Sequence, residues 1–345
     1  MTRFLLIIIT IFAMVGKTFC QDQENLASTL KIAVNLSDEG KFKESNDKLI
    51  TLLQKDYLKD LVSYNLSVNY FKLKDYAKAQ KYAQSVMDMN SEYMLHASVI
   101  LGKCLNISKK YTDERKAYDR AAQKFPTEYL PHYCKAKSFT DEKKTAEAYQ
   151  SYIEAIKRYN FGADLHFDLA QTLYDDELYI HSALAYCFYL LTEPKSARSV
   201  LAINKLAAIM NVNDADRIIA QKTANPKLVA PQDEDLISSL LFLNSLQRLP
   251  KTSDPLPAAE PFLKNIKSLL TDLSESITDR NGFYETFYLK FFAQMLTDNM
   301  LDEYLYFIAN AHYDNINDLI PSMTRTRLIT FADWLQKYFE NNELE

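Results

Sequence analysis

The sequence predicts an all-α protein: a solenoid of repeated helix-turn-helix pairs, followed by a second segment that is also entirely helical. Three observations support this prediction: a repeating pattern of about 34 residues, apolar stripes at helical spacing in the C-terminal part, and a very low glycine content. The 345 residues include only five glycines, too few for turn-rich β architectures. No two of them are close enough to form a phosphate-binding loop, which excludes the P-loop and dinucleotide-binding classes.

The composition is that of a globular protein with a slightly acidic balance. Apolar residues make up 48% of the chain, which is enough for a sizeable core. The formal net charge is −5. This charge argues against nucleic acid and anionic membrane surfaces as main partners, because both attract basic proteins.

Residues 1–20 have the pattern of a secretory signal peptide. A basic residue, Arg3, precedes an apolar run at 4–15, and this run is too short to span a bilayer, which takes about 20 residues. We predict cleavage between Cys20 and Gln21, and therefore an exported, periplasmic protein. The residues before Cys20 do not match those of a lipid-anchored protein, so we expect no anchoring there. We also expect no transmembrane span in the mature chain.

A repeat runs through the first part of the chain. Its markers are spaced by 34, 35, 34 and 34 positions: Phe42, Tyr76, Tyr111, Thr145 and Tyr179. The residue three positions after the marker is small in four of the five repeats, and the residue nine positions before it is small in all five. Small side chains at these places let two helices approach closely where they cross. Glu114, Lys135 and Thr145 depart from the pattern without shifting its register.

This pattern resembles the tetratricopeptide repeat (TPR) family, whose repeat is a helix-turn-helix of 34 residues. The resemblance implies five repeats at 26–196, and then a degenerate sixth repeat or cap with a linker at 197–230. Solenoid ends need such atypical repeats, because the last helix has no following neighbour. The whole chain also resembles exported TPR proteins of Bacteroidota-type bacteria, mainly through residues 282–307 and 331–334.

The period stops near residue 231, and residues 231–345 are predicted to form an all-helical C-terminal domain or cap. Helices are expected at 233–249, 262–278, 282–297, 300–313 and 322–340. Aromatic residues recur every four positions on two faces of the helix at 282–297, which predicts burial on more than one side. We interpret this aromatic cluster as a core, with the lining of a ligand pocket as the alternative.

No pattern in the sequence indicates catalysis or metal binding. The five histidines lack metalloprotease spacing, the cysteines form no paired zinc motif, and no nucleophile elbow occurs. We therefore predict a protein that is not an enzyme and has no catalytic, cofactor-binding or metal-binding residues.

The TPR resemblance implies that an extended peptide or a helix binds in a concave groove lined by the first helix of each repeat. The groove positions of the family correspond here to Leu30, Tyr64, Phe71, Lys103, Tyr133, Lys137, Phe167, Gln171 and Tyr174. This aromatic row with two lysines on neighbouring repeats suits a partner protein with acidic residues. The alternative is that some of the aromatic residues merely pack against the helix beside them. Val34 and Val68 do not support the chaperone-tail clamp of some TPR domains.

The leading hypothesis is a non-enzymatic exported scaffold that binds a partner protein of the cell envelope in this groove. The second hypothesis is a periplasmic chaperone or carrier of exported clients. The third is small-molecule binding or catalysis by the C-terminal helical domain. A single stoichiometric partner would favour the first hypothesis, whereas many weak clients would favour the second.

Overall fold

The computed structural model of the chain describes residues 23–211, 249, 255–275 and 282–341. Within these residues all regular secondary structure is helical, and no strand occurs. None of the helices described is both long enough and apolar enough to cross a membrane. The predicted signal peptide at 1–20 and residues 233–248 of the helix predicted at 233–249 lie outside the described residues. The last residue of that prediction, Leu249, is described and is not helical.

Five consecutive helix pairs form the repeats. They are α1 (23–38), α2 (Phe42–Gln54), α3 (Lys59–Lys72), α4 (Tyr76–Met89), α5 (Met94–Ile107), α6 (Tyr111–Lys124), α7 (Leu130–Asp141), α8 (Thr145–Arg158), α9 (Ala163–Asp175) and α10 (Tyr179–Thr192). The second helix of every pair begins at the marker residue of the repeat. The predicted all-α solenoid of helix pairs is therefore confirmed.

The chain divides into two compact units, Met1–Ser138 and Phe139–Glu345. The division falls within α7, in the predicted fourth repeat. The first unit holds the first three repeats, and the second unit holds the fifth repeat together with the C-terminal helices. The sequence shows where the period stops, near residue 231, but a period does not reveal which helices pack together. The predicted domain limits therefore stay a prediction.

Small side chains are buried at the helix crossings, as the pattern predicts. In the first repeat the hydroxyl of Ser45 donates to the carbonyl oxygen of Ala33 at 2.7 Å. In the fifth repeat the hydroxyl of Ser182 donates to the carbonyl oxygen of Ala170 at 2.8 Å. All four residues are fully buried. These hydrogen bonds satisfy the buried hydroxyls and fix how the two helices of a repeat face each other.

The third repeat uses a glycine and a glutamate at the same crossing. A Cβ atom on Gly102 of α5 would lie 2.1 Å from the hydroxyl oxygen of Tyr118 on α6, so the tyrosine ring fits only against glycine. The Tyr118 hydroxyl donates to Glu114 Oε1 at 3.1 Å, and the Ser138 hydroxyl donates to Glu114 Oε2 at 2.8 Å. Glu114 is only 3% exposed. Its departure from the small-residue pattern is tolerated because hydroxyl donors satisfy the buried carboxylate.

A buried amide joins the first two repeats. Asn69 of α3 is fully buried. Its Oδ1 accepts from the Ser37 hydroxyl at 2.6 Å, and its Nδ2 donates to Ser45 Oγ at 2.9 Å and to Asn46 Oδ1 at 3.0 Å. The Asn69–Ser45 and Ser138–Glu114 pairs are each separated by 24 residues. The junction of the first and second repeats and that of the third and fourth thus carry a polar contact at the same positions of the repeat. The larger residue is Asn69, on the first helix of the later repeat, in one junction. It is Glu114, on the second helix of the earlier repeat, in the other.

The other helices of the second unit are α11 (Ala197–Met210), α12 (Ala259–Glu275), a π-helix (Tyr284–Leu289), α13 (Lys290–Thr297), α14 (Leu301–Ala309), α15 (Ile316–Leu319) and α16 (Arg325–Asn341). The sequence did not predict α15 or the π-helix. The π-helix continues directly into α13, so the apolar pattern of one continuous helix hides the local change in hydrogen bonding.

The helix predicted at 300–313 ends earlier than expected, at Ala309. His312, predicted on the apolar stripe of that helix, lies in the following turn. Its Nε2 contacts the carbonyl oxygen of Pro194 at 2.7 Å and the hydroxyl of Ser199 at 3.0 Å. These contacts hold the turn against the start of α11, which explains why the helix stops.

The core of the second unit surrounds Phe188 of α10, which is fully buried. The centroid of its ring lies 4.4 Å from that of His166, 5.0 Å from that of Phe287 and 5.2 Å from that of Phe291. Phe339 of α16 packs against the same ring at 6.1 Å. The aromatic residues predicted at 282–297 therefore form a core that joins the fifth repeat to the C-terminal helices.

His166 is the polar member of this core and has no exposed surface. Its Nε2 lies 2.8 Å from the carbonyl oxygen of Asn160, and its Nδ1 lies 2.7 Å from the hydroxyl of Tyr288. Because a carbonyl oxygen only accepts, Nε2 carries the hydrogen and the Tyr288 hydroxyl donates to Nδ1. The neutral ring is thus fully satisfied. Burial lowers the pKa of His166 to about 4.

We expect the free energy of unfolding of the second unit to fall by about 2 kcal/mol between pH 7.5 and pH 5. The pKa of His166 is about 4 when folded, against 6.5 ordinarily. The unfolded chain therefore binds the extra proton first, and stability is lost as the pH drops from about 6.5 towards 4. Fluorescence of Trp334, the only tryptophan, reports urea unfolding of this unit. The variant His166→Gln should lose most of this pH dependence, and an equal decrease in both proteins would contradict the assignment to His166.

Candidate partner-binding groove

The residues predicted to line a groove lie on the first helices of the repeats, and the two units divide them into two sets. The first unit contains Leu30, Tyr64, Phe71, Lys103, Tyr133 and Lys137. The second unit contains Phe167, Gln171 and Tyr174. The surroundings of the two sets differ.

Phe167 in the second unit is buried, with 8% of its surface exposed. Its ring meets that of Tyr189 of α10 edge-on, with centroids 5.0 Å apart. On the other side, the guanidinium carbon of Arg198 of α11 lies 5.4 Å from the Phe167 centroid. Arg198 is itself held by ion pairs with Asp164 and Glu193. This aromatic residue packs against neighbouring helices, which is the alternative that the sequence left open.

The other two residues of this set are also engaged. The side-chain oxygen of Gln171 accepts a hydrogen bond from the Tyr186 hydroxyl at 3.1 Å. The ammonium of Lys205 of α11 lies 3.7 Å from the ring centroid of Tyr174, a close cation–π contact. Helix α11 therefore contacts this first-helix surface through Lys205 as well as Arg198, and we favour the first unit for partner binding.

In the first unit the aromatic residues are half-buried. The Tyr64 ring stacks on Tyr93 with centroids 5.9 Å apart, and His96 lies at 6.2 Å. Phe71 instead packs edge-on against Tyr76, the first residue of the following helix, at 5.5 Å. Tyr93 and His96 extend the aromatic surface beyond the residues named from the sequence.

Two lysines add positive charge to the same first helices. Lys103 on α5 and Lys137 on α7 are both exposed. The Lys137 ammonium lies 5.4 Å from the ring centroid of Tyr133. Burial raises the pKa of the Cys134 thiol to about 12, against the opposing influence of Lys103 and Lys137. Both ammonium groups therefore lie near this one side chain, and Lys103 forms no ion pair with another described residue.

The described residues contain no metal-binding cluster, and their thiols are not activated. Across 23–211, 255–275 and 282–341, no group of His, Cys, Asp and Glu side chains is arranged to hold a metal ion. Burial raises the pKa of Cys104 to about 11 and that of Cys187 to about 12. Like Cys134, these thiols stay protonated at neutral pH and are poor nucleophiles.

The repeat geometry establishes the fold. Helix pairs follow one another at intervals of 34 or 35 residues, and a small residue is buried nine positions before each second helix begins. The chain therefore has the architecture of stacked helix pairs that the TPR resemblance predicts. Stacked repeats of this kind present extended surfaces.

Several solved structures resemble this chain in fold. PilF of Pseudomonas aeruginosa is 16% identical over 64% of this chain and 97% of its own, with a TM-score of 0.47. A thermophilic TPR protein of Thermus thermophilus, TTC0263, is 13% identical over 52% of this chain and 98% of its own, with a TM-score of 0.43. The C-terminal part of a TPR repeat-containing protein of Cytophaga hutchinsonii is 13% identical over 84% and 98%, with a TM-score of 0.45. No protein-family model and no curated protein matches the sequence.

Proposed function

We propose that this protein is a non-enzymatic TPR scaffold that binds an extended, acidic segment of a partner protein on the first helices of its first unit. The observation that supports the proposal is the ring cluster of half-buried Tyr64 and Tyr93 with exposed His96, together with two exposed lysines, Lys103 and Lys137. Aromatic rings of this kind supply large, rigid contact area at protein interfaces.

The charge of the surface favours acidic residues in the partner. An exposed ion pair contributes only about 0–1 kcal/mol, so most of the affinity is expected from the aromatic rings. The lysines mainly set the charge preference and the orientation of the bound segment. The pattern of residues 1–20 supports export, and we propose that the partner belongs to the cell envelope.

Site-specific photo-crosslinking in native cells tests this proposal. A crosslinking side chain at Val68 of α3 lies on the same helix as Tyr64 and should capture one dominant envelope protein. We expect Tyr64→Ala to reduce the captured fraction about tenfold, and the double variant Lys103→Gln/Lys137→Gln to reduce it about fivefold. The captured mature chain should begin at Gln21.

The matched control removes the same charge elsewhere in the first unit. Lys43→Gln/Lys116→Gln changes two exposed lysines on second helices, and capture should be unchanged. Equal losses in the two double variants would overturn the proposed charge preference. Capture of many weak clients in place of one protein would favour the chaperone hypothesis, and a cytoplasmic partner would contradict the proposed location.

A further inference from the structure

An open pocket of ≈ 290 Å³ lies in the first unit, between α2, α3 and α4. Its lining consists of three apolar or aromatic side chains and four polar ones: Leu53, Tyr82, Met89, Lys59, Ser63, Lys81 and Ser85. None of the residues predicted for the groove contributes to it. The pocket is therefore separate from the proposed partner-binding surface.

Two hydroxyl groups of the lining have no partner among the described residues. Ser63 is 1% exposed, and neither its hydroxyl nor that of Ser85 forms a hydrogen bond with another described residue. Ser85 is half-buried, and neither hydroxyl is sealed from solvent, so both can form a hydrogen bond with a molecule in the open pocket. A ligand with acceptor atoms in the pocket would satisfy both hydroxyls.

The lining is positively charged and contains no carboxylate. Lys81 forms no ion pair with a described residue, and its ammonium lies 5.9 Å from the ring centroid of Tyr82. Lys59 pairs with Asp56 at 2.8 Å, but both side chains are more than half exposed, so this pair is weak and easily replaced. The pocket therefore favours an anion.

The walls of the pocket are held in place by the fold. The Tyr82 ring stacks on Tyr70 of α3, with centroids 5.6 Å apart and planes inclined by 3°. Leu58, directly before Lys59, has a φ of 39°, in the left-handed region that leucine rarely adopts. This turn fixes where α3 begins, and with it the position of Lys59.

We propose that this pocket binds a small carboxylic acid with a short apolar chain. The carboxylate faces the two lysines and accepts hydrogen bonds from the two serine hydroxyls, while the chain contacts the apolar wall. Ligand pockets usually measure about 300–1,000 Å³, so this one suits a molecule smaller than a typical drug. A phosphate is a poorer match. Phosphate groups are commonly bound by bidentate hydrogen bonds from arginine, and the lining contains no arginine.

The test is a titration of the full chain, carrying ¹³C-labelled leucine and methionine methyl groups, with hexanoate. We expect saturable shifts of the Leu53 and Met89 methyl signals. Hexylamine has the same chain with the opposite charge and should bind about tenfold more weakly. Lys81→Gln should weaken hexanoate binding about fivefold, and Ser63→Ala about threefold.

Lys72→Gln is the matched control, since this exposed lysine lies on α3 but not in the lining; hexanoate binding should not change. Met89→Trp fills the pocket from its exposed rim and should abolish binding in a folded protein. The proposal is wrong if hexylamine binds as well as hexanoate, if the shifts do not saturate, or if Lys72→Gln and Lys81→Gln have equal effects. Retained binding in Met89→Trp would also overturn it.

Discussion

Replacing Phe188 by alanine is expected to lower the free energy of unfolding of the second unit by about 4 kcal/mol. The ring is fully buried and contacts aromatic side chains from α9, the π-helix, α13 and α16. Its removal takes away apolar contacts and leaves a cavity that rigid neighbouring rings fill poorly. Phe188 thus connects the fifth repeat to three C-terminal elements.

Urea unfolding followed by Trp334 fluorescence measures this effect. Phe188→Leu keeps most of the volume and should cost only about 1.5 kcal/mol. Tyr159→Ala removes an aromatic ring that is 47% exposed in the same unit, and should cost less than about 1 kcal/mol. Similar losses for Phe188→Ala and Tyr159→Ala would show that the second unit does not depend on this core.

Replacing Gly102 by alanine is expected to destabilise the first unit by about 2 kcal/mol. In a helix, alanine is ordinarily more stable than glycine by about 1 kcal/mol. Helix propensity alone would therefore predict that Gly102→Ala stabilises the first unit, which is the opposite of the expected result. The added Cβ would lie 2.1 Å from the Tyr118 hydroxyl oxygen and 2.3 Å from the ring carbon that carries it. Tyr118 is 3% exposed and bonded to Glu114, so it has little freedom to move away.

A double-mutant cycle isolates this contact. In a Tyr118→Leu background the hydroxyl and ring are absent, and Gly102→Ala should become neutral or stabilising in urea unfolding followed by far-UV circular dichroism. Gly40→Ala is the comparison, because Gly40 has open space around it but a φ of +77°. It should cost about 1 kcal/mol in either background. An unchanged penalty for Gly102→Ala in the Tyr118→Leu background would rule out the steric explanation.

Much of the repeat architecture follows from the sequence because it depends on local spacing. The residues Phe42, Tyr76 and Tyr179 each begin a second helix, as the period predicts. The acceptance of Glu114 at a small-residue position does not follow from spacing. It depends on a hydrogen bond from Ser138, which comes 24 residues later. Nothing in the sequence around Ser138 indicates that it pairs with Glu114.

The surroundings of the predicted groove residues could be predicted only in part. The position of a residue within the repeat does not show whether side chains of other helices cover it. Tyr133 and Phe167 have the same place in successive repeats, yet Tyr133 is half-buried and Phe167 is buried. Phe167 packs against Tyr189 and Arg198, and Arg198 lies on α11, in the segment predicted as a degenerate sixth repeat or cap. The pocket lined by Ser63 and Lys81 was missed because three helices form it, and its residues share no period.

The polar contacts between repeats also affect whether newly synthesised copies of the chain can exchange helix pairs. In an array of identical repeats, a helix pair of one copy can take the place of the same pair in another copy at no cost. Here Asn69 needs Ser37, Ser45 and Asn46, and Glu114 needs its own hydroxyl donors, so a pair inserted at the wrong junction leaves buried polar groups unsatisfied. These two junctions therefore accept only the matching helix pair, and exchange of repeats between chains during synthesis is disfavoured.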